Sequence, residues 1–528
     1  MLGVWVSCFP TAYSHIYRNG FYCKAEDQQL EYRLNKKKVV IVGSGWSGLG
    51  AANHLCKQGF DVTVLEGGYE FGPKNKTLTP DDIGIQGFWY PYRNIFSLVD
   101  ELDIKPFTNW ISSAQYSKEG LEVEFPIFQN EAQLPTPLGT LLYTKFARLP
   151  LIDRLTVLPL TAAVIDFDNT DMAWQKYDPI TARELLRQFG CSERLYQDVV
   201  ASLLQVGLYA SPEQCSAAAT LAMLYYFVFS HQKNFDSSWC RGTARKQIFE
   251  PWTQSLKEEG CKFLEGRKVT DMFFNEETGC ISEVICDKEN FRADAVILAV
   301  GVSTLQEIIQ NSTTLCSRDE FLRHLKLSSI DLLTVKLQFD KKVSIRKASN
   351  VCSTYDDANA FTFFDLNMIY DEYKDDPFTT IQADFYNASD LLPLKDDKIV
   401  EKAVIRLSKC IEDFENATVI DKDIGRYPKS LTHFSPGSYK YMMRGSTSFP
   451  NLFMAGDWVI TRHGSCAQEK SYVTGLEAAN RVVDYLEEGS FAKIIPVEED
   501  EPHVQTLRNF NRRFNEVTSQ LPFSNYLL

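Results

Sequence analysis

Apolar residues concentrate in short uninterrupted runs separated by glycine or by polar stretches. Val39-Val40-Ile41-Val42 is all apolar, as a strand buried on both faces requires. Gly43-Ser44-Gly45-Trp46-Ser47-Gly48 follows at once, then a helical pattern from Trp46 to Gln58 closed by Gly59, then the alternating run Asp61 to Leu65 ended by Glu66. Lys37 to Glu66 therefore reads as one strand, glycine turn, helix, strand unit of about thirty residues. A strand pattern returns at Arg267 to Asp271, at Ser282 to Asp287 beyond a turn at Glu276 to Gly279, and at Ala293 to Gly301. Leu452 to Asp457 reads as a short buried strand ending in an acid, and Gln468 to Leu486 as a helix. From about Asn109 to Lys262 the pattern is mixed and mainly helical, with proline breaks at Leu134 to Pro137 and at Leu149-Pro150. Residues 320 to 440 alternate strands and helices.

The 528 residues exceed what one core ordinarily holds, so two domains are expected. With 44% hydrophobic and 23% charged residues the chain is globular. A net charge of -14 without a basic stripe excludes a nucleic-acid partner. The 13 cysteines lack C-x-x-C pairs and histidines at ligand spacing, so buried thiols are expected rather than a metal centre or a disulfide framework. No apolar run reaches about 18 residues, and Cys215 to Phe229 fits a buried core helix. Residues 1–25 contain no Asp or Glu, as an organelle transit segment would, although Ser and Arg are sparse.

In the glycine turn, Gly43 permits the tight bend, Gly45 lets backbone approach a pyrophosphate and Gly48 lets helix and strand pack closely. The N–H groups of Trp46 and Ser47 open the helix, whose positive end stabilises phosphate. Glu66 stands about twenty residues on, where an acid accepts from ribose hydroxyls. G-x-G-x-x-G alone is weak; between a strand and a helix, with that acid in place, it is specific. Gly456-Asp457 supplies a second gripping point, which a flavin needs and a nicotinamide does not.

Together with Ala299-Val300-Gly301, these segments make the chain resemble the flavin amine oxidase superfamily, and within it the carotenoid (phytoene and zeta-carotene) desaturases, over about 38–485. NLFMAGDW and EKSYVTGLEAAN resemble the family's C-terminal flavin motif, and Gly84 to Glu101 its region entering the active site. The resemblance implies an α/β fold: a discontinuous Rossmann-like FAD-binding domain at 36–108, 264–310 and 445–490, with an inserted mixed α/β substrate domain at 109–263 and 311–444. Residues 1–35 are left as a transit or disordered segment and 491–528 as a C-terminal tail. FAD, held without a covalent bond, is then expected to contact Gly43, Gly45, Trp46, Ser47, Gly48, Glu66, Val269, Gly456, Asp457 and Val473. Cys466 is the residue that a covalent link would use.

The resemblance further implies hydride transfer from a lipophilic polyene, by desaturation or isomerisation, at a membrane surface, with a quinone or oxygen as acceptor and a plastid location; otherwise the protein is cytoplasmic. An amine oxidase, expected to show an aromatic cage and a lysine reaching the flavin through water, is the alternative, and a non-catalytic flavin scaffold or sensor the third reading. No catalytic acid or base is assigned: His463 reads as a loop histidine, and Trp89, Tyr90 and Tyr92 as either cavity wall or plain core. The family's arginine and Gly-Gly-Arg after the acid are replaced by Gly67 to Lys74, leaving helix dipoles and Lys74 to meet the phosphates.

Overall fold

The computed structural model describes residues 36–68, 84–287, 289–353, 360–463 and 467–519. The acid-poor N-terminus, Lys74 and Cys466 lie outside them.

Five parallel strands form the first sheet, in the order Leu452–Met454, Ala295–Leu298, Lys38–Val42, Asp61–Glu66, Lys262–Glu265. Alternate residues leave opposite faces of a strand, and both faces here are covered. Val39, Ile41, Val64 and Ile297 pack with Ala51 and Leu55 of helix Trp46–Lys57 and with Ala478 and Val482 of helix Gln468–Leu486. Val40, Val42, Val296 and Leu298 pack with Leu305 and Ile308 of helix Val302–Asn311. Burial on both sides is why these strands carry uninterrupted apolar runs.

The strands at Ala295–Leu298 and Leu452–Met454 are shorter than the apolar runs that contain them. Chain beyond each leaves the sheet: Gly301 opens helix Val302–Asn311, and Gly456 adopts φ +147. Val269–Phe274, Ile281–Cys286 and Asn290–Arg292 form a separate antiparallel sheet of three strands. Lys262–Glu265 crosses the 263/264 boundary drawn from the sequence, and Trp252 of the preceding helix Glu250–Glu258 packs against Trp46.

An eight-stranded sheet runs Val419–His433, Ser328–Phe339, Thr380–Tyr386, Phe361–Asp365, Ser349–Cys352, Ser113–Ser117, Gly120–Phe125, Lys145–Phe146. Its last three strands come from the stretch that reads as mainly helical. They are short and partly polar, and Ser113–Ser117 is completed by a parallel partner, Ser349–Cys352, far along the chain. Leu333, Val335, Leu337, Phe361, Phe363 and Phe385 form one buried face, covered by Ile399, Ala403 and Leu407 of helix Asp396–Cys410.

The expected core helix is found as Ala217–Leu224 continued by a wider coil, Tyr225–Phe229, inside a helical cluster. Among the described residues no helix is long and apolar enough to cross a membrane. The tail crosses both halves. Asn94 bonds the backbone of Ile495 in both directions, at 2.7 and 3.0 Å. Asp500 meets Arg508 at 2.9 Å, and Glu501 accepts from the N–H of Thr136. Helix Pro502–Ser519 follows.

Candidate functional site

The glycine turn is locked from below. Gly43, at φ +102, donates to the carbonyl of Leu65 at 2.9 Å, and a Cβ on it would lie 2.4 Å from the carbonyl oxygen of Ala299. A Cβ on Gly48 would lie 1.9 Å from the carbonyl oxygen of Gly43. A Cβ on Gly45 would meet nothing within 4 Å, and Gly45 is exposed although helix residues 46–53 are buried. No side chain caps that helix and no acid lies in its first turn, so its leading N–H groups and positive end face open space. This is room and polarity for a pyrophosphate, and the residues fit the diphosphate of FAD.

Glu66 closes the cradle on the adenosine side. One carboxylate oxygen accepts from the N–H and hydroxyl of Ser44, at 3.0 and 2.6 Å, and the other from the N–H of Gly68 at 3.0 Å. A carboxylate offers about four acceptor sites, so capacity remains for ribose hydroxyls. Arg267 donates its backbone N–H to the Glu66 carbonyl, which brings the strand of Val269 alongside.

The C-terminal motif joins this cradle through small residues. A Cβ on Gly475 would lie 2.1 Å from the Ser47 carbonyl oxygen, and one on Gly50 2.8 Å from the Tyr472 ring. Thr474, fully buried beside Val473, accepts from the Gly456 N–H at 3.0 Å and donates to its carbonyl at 3.2 Å. Asp457 lies deep but keeps accessible surface, and accepts from the Thr432 hydroxyl at 3.0 Å. Burial pushes its carboxyl above the usual range, opposed by Lys470, Thr432 and nearby backbone N–H groups. Behind it Trp458 donates to the Val300 carbonyl at 2.9 Å and packs on His324, whose imidazole is lowered to about 4 by burial, opposed by hydrogen bonding of the ring to the Tyr441 backbone.

Residues 84–92 lie between these two halves. Phe88 meets the Trp46 ring at 5.9 Å, and the Tyr92 hydroxyl donates to Gln468, first residue of the C-terminal helix, at 3.2 Å. Glu469, fully buried, accepts from the N–H groups of Asn94 and Ile95 at the start of helix Arg93–Glu101. Below the segment lies the second face of the eight-stranded sheet, carrying Leu332, Thr334 and Lys336 beside Tyr386, Asp384 and Gln382. Asp384 accepts from the Ile85 N–H at 2.9 Å.

Most of the sequence-selected residues thus converge on one place: Gly43 to Gly48, Glu66, Gly456, Asp457 and Val473. Trp46 and Ser47 can offer backbone N–H groups there, since the Trp46 ring packs with Phe249 and Trp252. Val269 sits beside Glu66 in the second core, with its side chain buried. His463 belongs to another network: its Nε2 is 3.5 Å from Asn94 and from Glu469, whose carboxylate accepts from the first N–H groups of helix Arg93–Glu101. Tyr92 is buried and Trp89 packs on it, on Phe227 and on Trp239, while Tyr90 packs on Trp110. Sequence reading quoted Lys470, Thr474 and Gly475 within the EKSYVTGLEAAN motif without singling them out, and missed Thr432. The small residue of Thr474-Gly475 was a visible sign of close helix approach; Thr432 gave none.

The model of the family described as flavin containing amine oxidoreductase matches residues 46–483. Zeta-carotene desaturase of Arabidopsis thaliana is 18% identical over 87% of this chain and 88% of its own length. L-amino-acid oxidase of Crotalus adamanteus is 22% identical over 85% of this chain and 87% of its own. Among solved structures, cyclohexylamine oxidase from Brevibacterium oxydans IH-35A superposes with a TM-score of 0.64 at 14% identity, over 86% of this chain and 100% of that one.

Proposed function

Since the chain belongs to the flavin containing amine oxidoreductase family and is an FAD-dependent oxidoreductase, we propose that its substrate is a lipophilic polyene, desaturated or isomerised at a membrane surface. The observation that carries this reading is a stretch of exposed large apolar side chains, Leu138, Leu142, Leu151, Ile152 and Leu155, the most open of them 72% exposed. They sit on two short helices, Leu138–Tyr143 and Leu151–Leu155, near Lys145 and Arg154. Exposed apolar side chains on two helices close together in sequence, with Lys145 and Arg154 beside them along the chain, suit a lipid surface, where a water-insoluble substrate is found.

When bound, the flavin supplies an acceptor for a hydride taken from a substrate carbon. The chain's part is to bind and to exclude. The uncapped helix end and Glu66 would hold the adenosine diphosphate, Thr474 fixes the Gly456 turn beside the C-terminal helix, and the residues between the halves would shield the reacting carbon from water. Lys336, on the inner face of the eight-stranded sheet, is bound to the Tyr373 hydroxyl and lies over its ring, so it is not held in reserve for an amine oxidase's water bridge. A plastid location follows the compartment named for the desaturase relatives; the electron acceptor is then a membrane quinone or oxygen.

One observation favours the amine reading: Trp89, Tyr92, Phe227 and Trp239 form an aromatic group beside the same segment. Anaerobic mixing with a panel of carotenoids and amines separates the two. Bleaching of the flavin by a polyene and not by amines is expected, together with binding to lipid vesicles that is lost in Leu142→Ser/Ile152→Ser. Bleaching by an amine alone overturns the polyene reading.

A further inference from the structure

Strand Thr380–Tyr386 carries a carboxyl that the cofactor cradle does not use. Asp384 is 1% exposed at the centre of the eight-stranded sheet. Its two oxygens accept from the Gln382 amide at 2.8 Å and from the Ile85 N–H at 2.9 Å. Its cross-strand neighbours, Thr334 and Thr362, are neutral, and the titratable groups on the same face are Tyr386, whose hydroxyl lies 3.2 Å from Thr362, and Lys336, which is bound to the Tyr373 hydroxyl. No cation among the described residues acts on it, and burial raises it to about 6.

What the carboxyl grips is the segment between the two halves of the flavin cradle. Gly84 has φ +78, and a Cβ there would stand 2.9 Å from the gripping oxygen, so the chain approaches Asp384 as a residue with a side chain does not. Ile85 follows, held by its N–H. The next residue, Gln86, has a buried side-chain carbonyl with no hydrogen-bond partner, and Trp239, 6% exposed and paired across the ribbon with Gly87, has a buried indole N–H in the same condition. Buried polar atoms are almost always paired; here an open acceptor stands on Gln86 and an open donor on Trp239, the cross-strand partner of its neighbour Gly87.

We propose that Asp384 is a positioning residue, which fixes the Gly84–Trp89 segment so that the Gln86 carbonyl accepts a hydrogen bond from an N–H or O–H of the molecule bound in the flavin site. The inference rests on the FAD site and not on the polyene reading, and it stands whether the substrate is a polyene or an amine. Bound flavin offers such donors in its ring N–H and ribityl hydroxyls, and an amine substrate offers N–H groups, whereas a hydrocarbon polyene offers none; the readouts separate the flavin from the substrate.

The test uses the holoenzyme with Gln86→Leu, Asp384→Ala and Asp384→Asn, each with a melting curve. FAD affinity and the visible spectrum report on the resting flavin; affinity for sulfite, which adds to the oxidised ring and bleaches it, reports on the substrate side. Gln86→Leu and Asp384→Ala are expected to weaken the same readout about tenfold, as loss of one buried hydrogen bond does. Asp384→Asn, which keeps an oxygen for Ile85 once the Gln382 amide turns over, is expected to stay near wild type at pH 8 and to lack the wild-type change in sulfite affinity near pH 6. A shift in FAD affinity assigns the flavin as donor, and a shift in sulfite affinity alone assigns the substrate position. Wild-type FAD and sulfite affinities in folded Gln86→Leu overturn the proposal, and so does an effect in Asp384→Ala that Gln86→Leu does not share. If Asp384→Ala fails to fold, Asp384→Asn and Gln86→Leu decide.

Discussion

The two large sheets solve burial in different ways. In the parallel sheet both faces are covered, its strands are apolar throughout, and its chemistry stands at strand ends: Gly43, Glu66, Gly301 and Gly456. In the eight-stranded sheet only one face is an apolar core; the other presents Thr334, Asp384 and Tyr386 toward the segment between the cradle halves. A cofactor common to many enzymes is therefore gripped by backbone and glycine, whereas the half facing the reactant is free to vary by side chain. The close approaches of the first sheet are intolerant of one added methyl, while the second buries a carboxyl, Asp384, whose protonation shifts stability.

The largest expected effect tests that intolerance. Gly475→Ala places a Cβ 2.1 Å from the Ser47 carbonyl oxygen, a rigid backbone atom, and should cost about 3 kcal/mol or more and release FAD. Gly207→Ala meets the Met223 sulfur at 2.3 Å, but a thioether swings aside and alanine favours the helix by about 1 kcal/mol, so its melting point should move little. Equal losses in the two variants would break the comparison.

Next are the buried titrating groups, whose slopes oppose each other. His324, 0% exposed, is lowered to about 4. Between pH 4 and 6.5 the unfolded chain binds more protons, so stability rises with pH across that window and is lost as pH falls, by up to about 3 kcal/mol. Asp384, raised to about 6, does the reverse: the folded chain binds more protons between pH 3.8 and 6, and stability falls as pH rises there. Denaturant unfolding at pH 4.5 and 7 should show a shallower acid loss in His324→Leu and a steeper one in Asp384→Asn; identical slopes in both variants would remove these groups from the account.

A smaller effect is expected of Glu66→Ala, which should weaken FAD binding by about 1.5–3 kcal/mol through loss of charged hydrogen bonds, read by fluorescence of released FAD. The smallest is that of Leu142→Ser and Ile152→Ser, whose stability should stay within about 0.5 kcal/mol of wild type, because these side chains are already 64% and 72% exposed.

Legibility from sequence follows the same division. The cradle was readable because its requirements are local: apolar run, glycine spacing, acid after the next strand. The strand ends at 298 and 454 were misplaced, since apolar residues run on past the point where the chain bends away from the sheet. Ser113–Ser117 and Gly120–Phe125 were not readable, because a polar strand such as SAQYS is defined by Ser349–Cys352 rather than by its own pattern. Asp384 and Thr432 were silent for that reason too, and Gln86 was legible only as part of the Gly84 to Glu101 segment: their contacts lie across the chain fold.

The order of strands in the parallel sheet also sets a schedule. Its neighbours are drawn from residues 38–66, 262–265, 295–298 and 452–454, and the helix that rests on the glycine turn is Gln468–Leu486. During synthesis at about 5–20 residues per second, the first unit leaves the ribosome on the order of a minute before the helix that covers it. For that interval the hydrophobic side of helix Trp46–Lys57 has no lid, and premature self-association or capture by a chaperone competes with waiting. Contacts so distant along the chain form slowly, and a molecule truncated before residue 468 never completes the surface that closes over its own beginning.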